Sequence, residues 1–283
     1  MILVIVGVIG AGVIGIGVAQ CFAQGGYDVV LVDICEDILS RAKQEIHSNI
    51  RFQALFNKNI EVVDPDTILS KICTTTDYNL LKECDFIIEN VSEKLETKRV
   101  VYEKIDDICK KECKILVNTS CISITKIASL TKRQEQIIGA HFMNPVHLKP
   151  VVEVIEGYHT SSETINSTKE ILASIGKECI IVKDLPGFVS NRLSHLLINE
   201  AAFILQDQVA CAEDVDEILK KCMGHKMGPL ETADLIGLDT VVNSLDVLYE
   251  SYHDPKFRCC PLLRKMVDAG LYGKKSGKGF YNY

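Results

Sequence analysis

Hydrophobic positions follow two rhythms along this chain, and the rhythm changes once. Residues 2–9 form an almost unbroken apolar run, the pattern of a parallel strand buried on both faces; after Gly10-Ala11-Gly12-Val13-Ile14-Gly15, apolar positions Ala19, Phe22 and Ala23 recur at helical spacing. A second strand is predicted at Asp28–Asp33, followed by helical segments around 36–57 that end at the break Asp64-Pro65-Asp66. Strands are then predicted at 72–76, 85–90, 114–119, 137–141, 151–155 and 178–183, with helices between them at 96–110, 123–130 and 161–174. Such alternation implies an α/β fold with a doubly wound sheet. After Asp184-Leu185-Pro186-Gly187 no strand pattern remains. Val189, Leu193, Leu196, Leu197, Ala201, Ile204 and Leu205 mark a helix across 188–209, and others follow at 213–222, 231–236, 239–252 and 261–269. The expected organisation is a sheet domain over residues 1–185 and a smaller all-helical domain over 186–283, with a basic, glycine-rich closing loop from Gly270 to Tyr283.

The first turn carries chemistry. In G-x-G-x-x-G, Gly10 permits the tight bend, Gly12 lets a pyrophosphate approach the backbone, and Gly15 lets the helix pack close to the strand. The helix then opens at Val13 and Ile14, where unpaired N–H groups face the phosphates. Asp33 ends the second strand at about the ~20-residue distance where a carboxylate takes the adenosine ribose hydroxyls. Alone it would be an ordinary strand-end residue; with the glycines it marks a dinucleotide site in a Rossmann-like domain. Ile34 and Cys35 follow, with no arginine to hold a 2′-phosphate, so NAD is expected rather than NADP.

Composition narrows the setting. The 283 residues, 47% apolar and 24% charged, suit a globular protein of about two domains and exclude both a disulfide-stapled miniprotein and long disordered tails. A net charge of −7 offers nothing to a polyphosphate, so no nucleic-acid partner is expected. Twelve cysteines lie scattered through apolar stretches without a C-x-x-C pair, and read as reduced core filler in a cytoplasmic protein. The first twenty residues carry no charge and have the hydropathy of a signal peptide or membrane span. They lack the basic residues that precede a signal core, however, and their five glycines fit the dinucleotide turn better than a bilayer, so no membrane segment is expected.

Open α/β sheets bind ligands beyond the carboxyl ends of their strands. There the sequence places Asn118-Thr119-Ser120 and His141, while the strand 151–155 carries Glu153. Oxidising an alcohol with a nicotinamide needs a base, a group that fixes the base's tautomer, and a donor to the emerging carbonyl; His141, Glu153 and Ser120 suit these roles. A lone strand-end histidine is more often structural, but the serine, the glutamate and the glycine turn together favour catalysis. His147, six residues after His141, makes no standard metal pair, and no metal site is expected. Asn191, by itself, could simply cap the first helix of the second domain.

Over its whole length the chain resembles the 3-hydroxyacyl-CoA dehydrogenase family. The shared motifs are VIGAGVIG (8–15), NTS (118–120), HFMNP with EVI (141–145 and 153–155), PGFVSNR (186–192) and MGPLETADLIGLD (227–239). The resemblance implies that His141 is the general acid/base, that Glu153 orients and polarises it, and that Ser120 and Asn191 contact the substrate hydroxyl and thioester. It also implies that Glu93, Lys98, Asn118 and Asn144 lie around the nicotinamide and substrate, and that the helical domain closes over the substrate and forms a homodimer. Three departures bear on the carrier. The usual NTSS is NTSC with Cys121; after HFMNP and Val146 the chain reads His147-Leu148-Lys149-Pro150-Val151 where typical members read Pro-x-Met-Lys-Leu; and basic residues near 50–57 are only partly present, with Arg51 and Lys58 beside neutral Gln53 and Asn57. These features are similar to the branch that oxidises a glyceryl group on an acyl carrier protein for polyketide extender units. Lysines 149, 220, 221 and 226 are candidates to meet such a carrier, with His147 and Lys149 near the acyl group. The alternatives are a short-chain 3-hydroxyacyl-CoA dehydrogenase and a non-catalytic NAD-binding structural protein; the latter would be favoured by loss of Ser120, His141 or Glu153, and all three are present.

Overall fold

A computed structural model of the chain describes residues 4–56 and 64–283. It divides into two compact units, Met1–Asp184 and Leu185–Tyr283.

In the first unit, β1 (Ile5–Ile9), α1 (Val13–Gln24), β2 (Asp28–Val32), α2 (Glu36–Phe56), α3 (Pro65–Leu69), β3 (Ile72–Thr75), β4 (Phe86–Glu89), α4 (Leu95–Ile108) and β5 (Lys114–Val117) alternate as the hydrophobic rhythm requires. After α5 (Ile124–Ala128) come β6 (Ile137–His141), β7 (Val151–Glu156), α6 (Ser162–Ser174) and β8 (Glu178–Lys183). The eight strands form one sheet in the order β3-β2-β1-β4-β5-β6-β7-β8, with helices flanking it. The order reverses between β1 and β4, the switch point at which a crevice opens above the strand ends.

The expected doubly wound sheet is present, with one difference. β7 runs antiparallel to β6. A parallel return needs a crossover of a dozen or more residues, and the loop of residues 142–150 is too short to supply one. Glu153 therefore lies within β7 rather than at a carboxyl end, and pairs in register with His141. The core below the crevice is formed by Val6, Val8, Val29, Leu31, Ile88 and Leu116 of the strands against Val18, Phe22, Leu39, Ile46 and Leu172 of α1, α2 and α6.

The second unit consists of α7 (Ser190–Gln206), α8 (Ala212–Met223), α9 (Pro229–Ile236), α10 (Leu238–Tyr252) and α11 (Pro261–Asp268). Ile198, Ala202, Leu238, Val241, Leu245 and Leu263 build its core. Two buried aspartates organise it. Asp216 accepts from Leu230 N at 2.9 Å and Glu231 N at 2.8 Å, capping α9, and from Tyr281 Oη at 2.8 Å. Asp234 accepts from Phe280 N at 3.0 Å, Tyr281 N at 2.9 Å and Tyr283 Oη at 3.2 Å. The segment 270–283, expected as a loop, is thus a clasp fastened to α8 and α9.

All twelve cysteines are free thiols, but the core-filler reading holds only in part: Cys73, Cys211 and Cys222 are exposed. Among the described residues no helix is long and apolar enough to cross a membrane.

Candidate active site

The glycine turn joins β1 to α1 at the switch point. Gly10 has φ +91°, and a Cβ there would lie 2.8 Å from the Asn90 carbonyl oxygen. A Cβ on Gly15 would collide with the carbonyl of Gly10, so it is the turn itself, more than the strand, that requires a glycine at this point. Gly12, the N-cap of α1, meets nothing within 4 Å and makes no side-chain cap, which leaves the first N–H groups of the helix facing open space. Asp33 Oδ2 accepts from Ala11 N at 2.7 Å, so the carboxylate that lines the crevice also holds the turn.

A cleft of about 350 Å³ opens here, lined among others by Gly10, Gly12, Asp33, Ile34, Ile38 and Tyr78. The glycines and Asp33 were expected here; Ile38 and Tyr78 were not. Ile34 is 85% exposed at the rim, and Tyr78 arrives from a short turn after β3. Burial, then the neighbouring Asp33 and Glu89 carboxylates, raise the Tyr78 phenol above its ordinary pKa. The residues fit a dinucleotide: an uncapped helix N-terminus for phosphates, a carboxylate for ribose, and apolar walls for a base.

Beside the turn, the ends of β5 and β6 bring the expected polar residues together. Ser120 Oγ lies 3.4 Å from His141 Nε2, and His141 Nδ1 lies 3.1 Å from Glu153 Oε2. Histidine and glutamate are both buried. Asn118 Oδ1 accepts from Phe142 N at 3.2 Å, tying the two strand ends. Glu93 accepts from Thr119 Oγ1 at 2.5 Å, Ser120 N at 2.9 Å and Cys121 N at 3.0 Å, so it shapes the loop that carries Ser120.

Lys98, expected around the nicotinamide, turns inward. It is fully buried, donating to both carboxylate oxygens of Glu89 at 2.9 Å and to the Asn118 carbonyl at 3.1 Å. Burial raises the Glu89 pKa above the usual carboxylate value, and Lys98 opposes that rise. A glutamate in the apolar run DFIIEN was the available signal for this pair. Asp184 was also missed: it accepts from Ser123 Oγ at 2.7 Å, Ile124 N at 3.0 Å and Thr125 N at 2.7 Å, fastening the start of α5.

Asn144 is exposed on the loop after His141, and His147 on the same loop is half-buried. Gln53, one of the neutral residues in the thinned basic stretch, accepts from the Gln20 and Gln24 amides at 3.3 and 3.1 Å, while Arg51 is exposed. Asn57 and Lys58 lie outside the described residues. In the second unit, Asn191 is the second residue of α7, whose N-cap is Val189; its carbonyl accepts from His195 Nδ1 at 2.9 Å. Asn191 thus lies inside the helix, two residues past the N-cap position. Lys220 and Lys221 both pair with Glu217, at 2.7 and 2.6 Å.

A Rossmann crevice with NAD-binding features, a serine and a histidine at its strand ends and a glutamate paired across the sheet with that histidine define an NAD-dependent oxidoreductase acting on a CH–OH group. Residues 5–185 match the family profile described as 3-hydroxyacyl-CoA dehydrogenase, NAD binding domain, and residues 187–283 match 3-hydroxyacyl-CoA dehydrogenase, C-terminal domain. The chain belongs to the 3-hydroxyacyl-CoA dehydrogenase family. It is 44% identical over 277 residues to a probable 3-hydroxybutyryl-CoA dehydrogenase of Deinococcus radiodurans, covering 98% of this chain and 99% of that protein. It is 37% identical to the mitochondrial hydroxyacyl-coenzyme A dehydrogenase of Homo sapiens, covering 98% of this chain and 90% of the human one. Among solved structures, (S)-3-hydroxybutyryl-CoA dehydrogenase from Ralstonia eutropha superposes with a TM-score of 0.94 at 39% identity, covering 99% of each chain.

Proposed function

We propose that the protein oxidises the 3-hydroxyl of a short-chain 3-hydroxyacyl-CoA to the 3-oxo thioester. The observation that carries this reading is the chain from Ser120 and His141, at the ends of β5 and β6 beside the glycine turn, to Glu153 within β7. With Nδ1–H donated to Glu153, His141 keeps the Nε2 lone pair toward Ser120 and takes the proton of the 3-hydroxyl there. Glu153 stabilises the imidazolium that results. Ser120 donates to the substrate oxygen as it becomes a carbonyl. Bound NAD would supply the acceptor for the hydride that leaves C3. Asp33 accepts the ribose hydroxyls, and Val13 and Ile14 offer N–H groups to the pyrophosphate at the start of α1. Glu93, Asn118 and Asn144 border the nicotinamide, Lys98 serves by holding the Asn118 backbone, and Asn191 meets the thioester, a role taken from its family motif. The acyl group follows from relatives such as the Deinococcus radiodurans protein, named a probable 3-hydroxybutyryl-CoA dehydrogenase.

A second reading, glyceryl on an acyl carrier protein, is favoured by Gln53, whose amide is engaged with α1 where a CoA phosphate would call for a cation. The pairing of Lys220 and Lys221 with Glu217 works against it. NADH formation with 3-hydroxybutyryl-CoA and with a glyceryl-loaded carrier protein decides between them. A higher kcat/KM is expected for the CoA thioester; an advantage of about tenfold for the carrier thioester would transfer the assignment.

The domain roles follow the same reading: residues 1–185 hold NAD, and 186–283 close on the substrate and pair with a second copy. Leu193 and Leu197 of α7, exposed by 63% and 39% and one helical turn apart, supply an apolar face for that pairing.

A further inference from the structure

The loop leaving His141 is exposed at Asn144 and Pro145 and returns to the sheet at β7, and it is tied down at three points. The first is the bond from Phe142 N to Asn118. The second is Val146, 3% exposed, which seats against Gly17 of α1; a Cβ added there would lie 2.7 Å from the valine Cβ. The third is Lys177, which lies between α6 and β8, about thirty residues further along the chain. Its ammonium donates to the carbonyl oxygens of Val146 and Lys149, each at 2.7 Å. Those carbonyls close a single helical turn in which Leu148 N and Lys149 N donate to Pro145 O at 3.0 and 3.2 Å. The ammonium thus sits at the negative end of a turn.

A cation is a costly residue to place there. Lys177 is only 7% exposed, and no carboxylate lies within ion-pair distance among the described residues. Its neighbours are His147 and the thiol of Cys21, which burial pushes to about 11 and so keeps neutral. An apolar side chain would fill the space without the desolvation penalty, but it could not join two carbonyls three residues apart.

We infer that Lys177 is a positioning residue for the reaction: by pinning the carbonyls of Val146 and Lys149 it fixes the 142–149 loop, and with it Asn144 and the His141 ring, against the dinucleotide helix α1. The inference rests on the proposed roles of His141 and Asn144.

Lys177→Met keeps most of the aliphatic stem and removes the donor; Lys177→Arg restores a fork able to reach both carbonyls. Steady-state kinetics with NAD and 3-hydroxybutyryl-CoA and hydrogen exchange are measured on the full chain, well below each variant's Tm. For Lys177→Met the expectation is a fall of about tenfold in kcat/KM, with a raised KM for NAD, and faster exchange at Leu148 and Lys149 than in wild type while the sheet amides keep their protection. Lys177→Arg should recover most of both. Wild-type kcat and KM in folded Lys177→Met would overturn the inference whatever its Tm, and so would a loss that arginine does not repair. Should Lys177→Met fail to fold, Lys177→Gln, with one amide donor, is expected between the two, and wild-type kinetics in it overturns the inference. If the wild-type chain oxidises neither thioester, the functional reading fails, and exchange alone decides: accelerated exchange confined to 146–149 supports the pinning, and wild-type protection refutes it.

Discussion

Glu153 stands directly across the sheet from His141: the two are register partners of the antiparallel β6–β7 pair, and Glu153 Oε2 lies 3.1 Å from His141 Nδ1. A twelve-residue separation in sequence is thereby converted into a hydrogen bond fixed by backbone register, not by the rotamer of a mobile loop. His141→Ala should lower kcat by about 10²–10⁴-fold while NAD binding, followed by fluorescence titration, persists. Glu153→Gln keeps a hydrogen-bond partner and loses the charge, so a smaller loss and a lower apparent pKa in the pH–rate profile are expected; full activity with an unmoved profile would exclude Glu153 from the mechanism.

Asp33 both lines the crevice and accepts from Ala11 N. Asp33→Asn leaves an oxygen for that bond and removes the charge that repels a 2′-phosphate. The ratio of kcat/KM for NAD over NADP, expected well above one in the wild type, should fall by about tenfold or more in the variant. Asp33→Ala should in addition lower the Tm, because the turn loses its anchor. An unchanged cofactor ratio would remove Asp33 from ribose recognition.

Breaking the Glu89–Lys98 pair strands a buried charge. Lys98→Met or Glu89→Gln should each cost about 3–5 kcal/mol in urea unfolding, and the double variant should lose less than the two losses added together. Additive losses would show that the pair contributes no coupling.

His147 tests the loop by pH. Burial, then the Lys177 charge, lowers its pKa below the ordinary 6.5. Between the lowered native value and the ordinary one the unfolded chain binds more protons, so stability rises with pH through that window and falls on acidification. An NMR titration should place the His147 midpoint below 6.5, and His147→Gln should lose less stability than wild type on going from neutral to acid pH. A midpoint at or above the ordinary value would contradict the burial.

The α7 leucines predict assembly. Light scattering at micromolar concentration should report a homodimer, and Leu193→Glu with Leu197→Glu should yield a folded monomer. A wild-type monomer would exclude the pairing.

The alternation of strands and helices was legible because buried parallel strands are apolar throughout, and the glycine turn because its spacing is a steric necessity. The serine, histidine and glutamate were legible as residue types near strand ends, but the direction of β7 was not, since a strand's apolar pattern is the same read either way. What escaped were partners defined only in three dimensions. Nothing near Tyr78 announces a cleft wall, and Lys177 reads as an ordinary surface lysine after a helix until the carbonyls of Val146 and Lys149 are seen around it. The segment after Gly270 looked loose because glycines and lysines are loop residues; Asp234, almost forty residues earlier, is what fastens it.

That fastening sets an order of events during synthesis. The buried carboxylate of Asp234 receives its donors from Phe280, Tyr281 and Tyr283, and Asp216 receives one from Tyr281. The sheet unit has every strand it needs once Lys183 has been made, so it is free to fold while translation continues. The helical unit must wait for residues 280–283, and a ribosome that stalled or a protease that cut a few residues earlier would leave two interior carboxylates short of donors. Quality control would then meet a chain with a finished nucleotide-binding half and an unfinished helical half, recognisable by the apolar helix faces it could not yet put away.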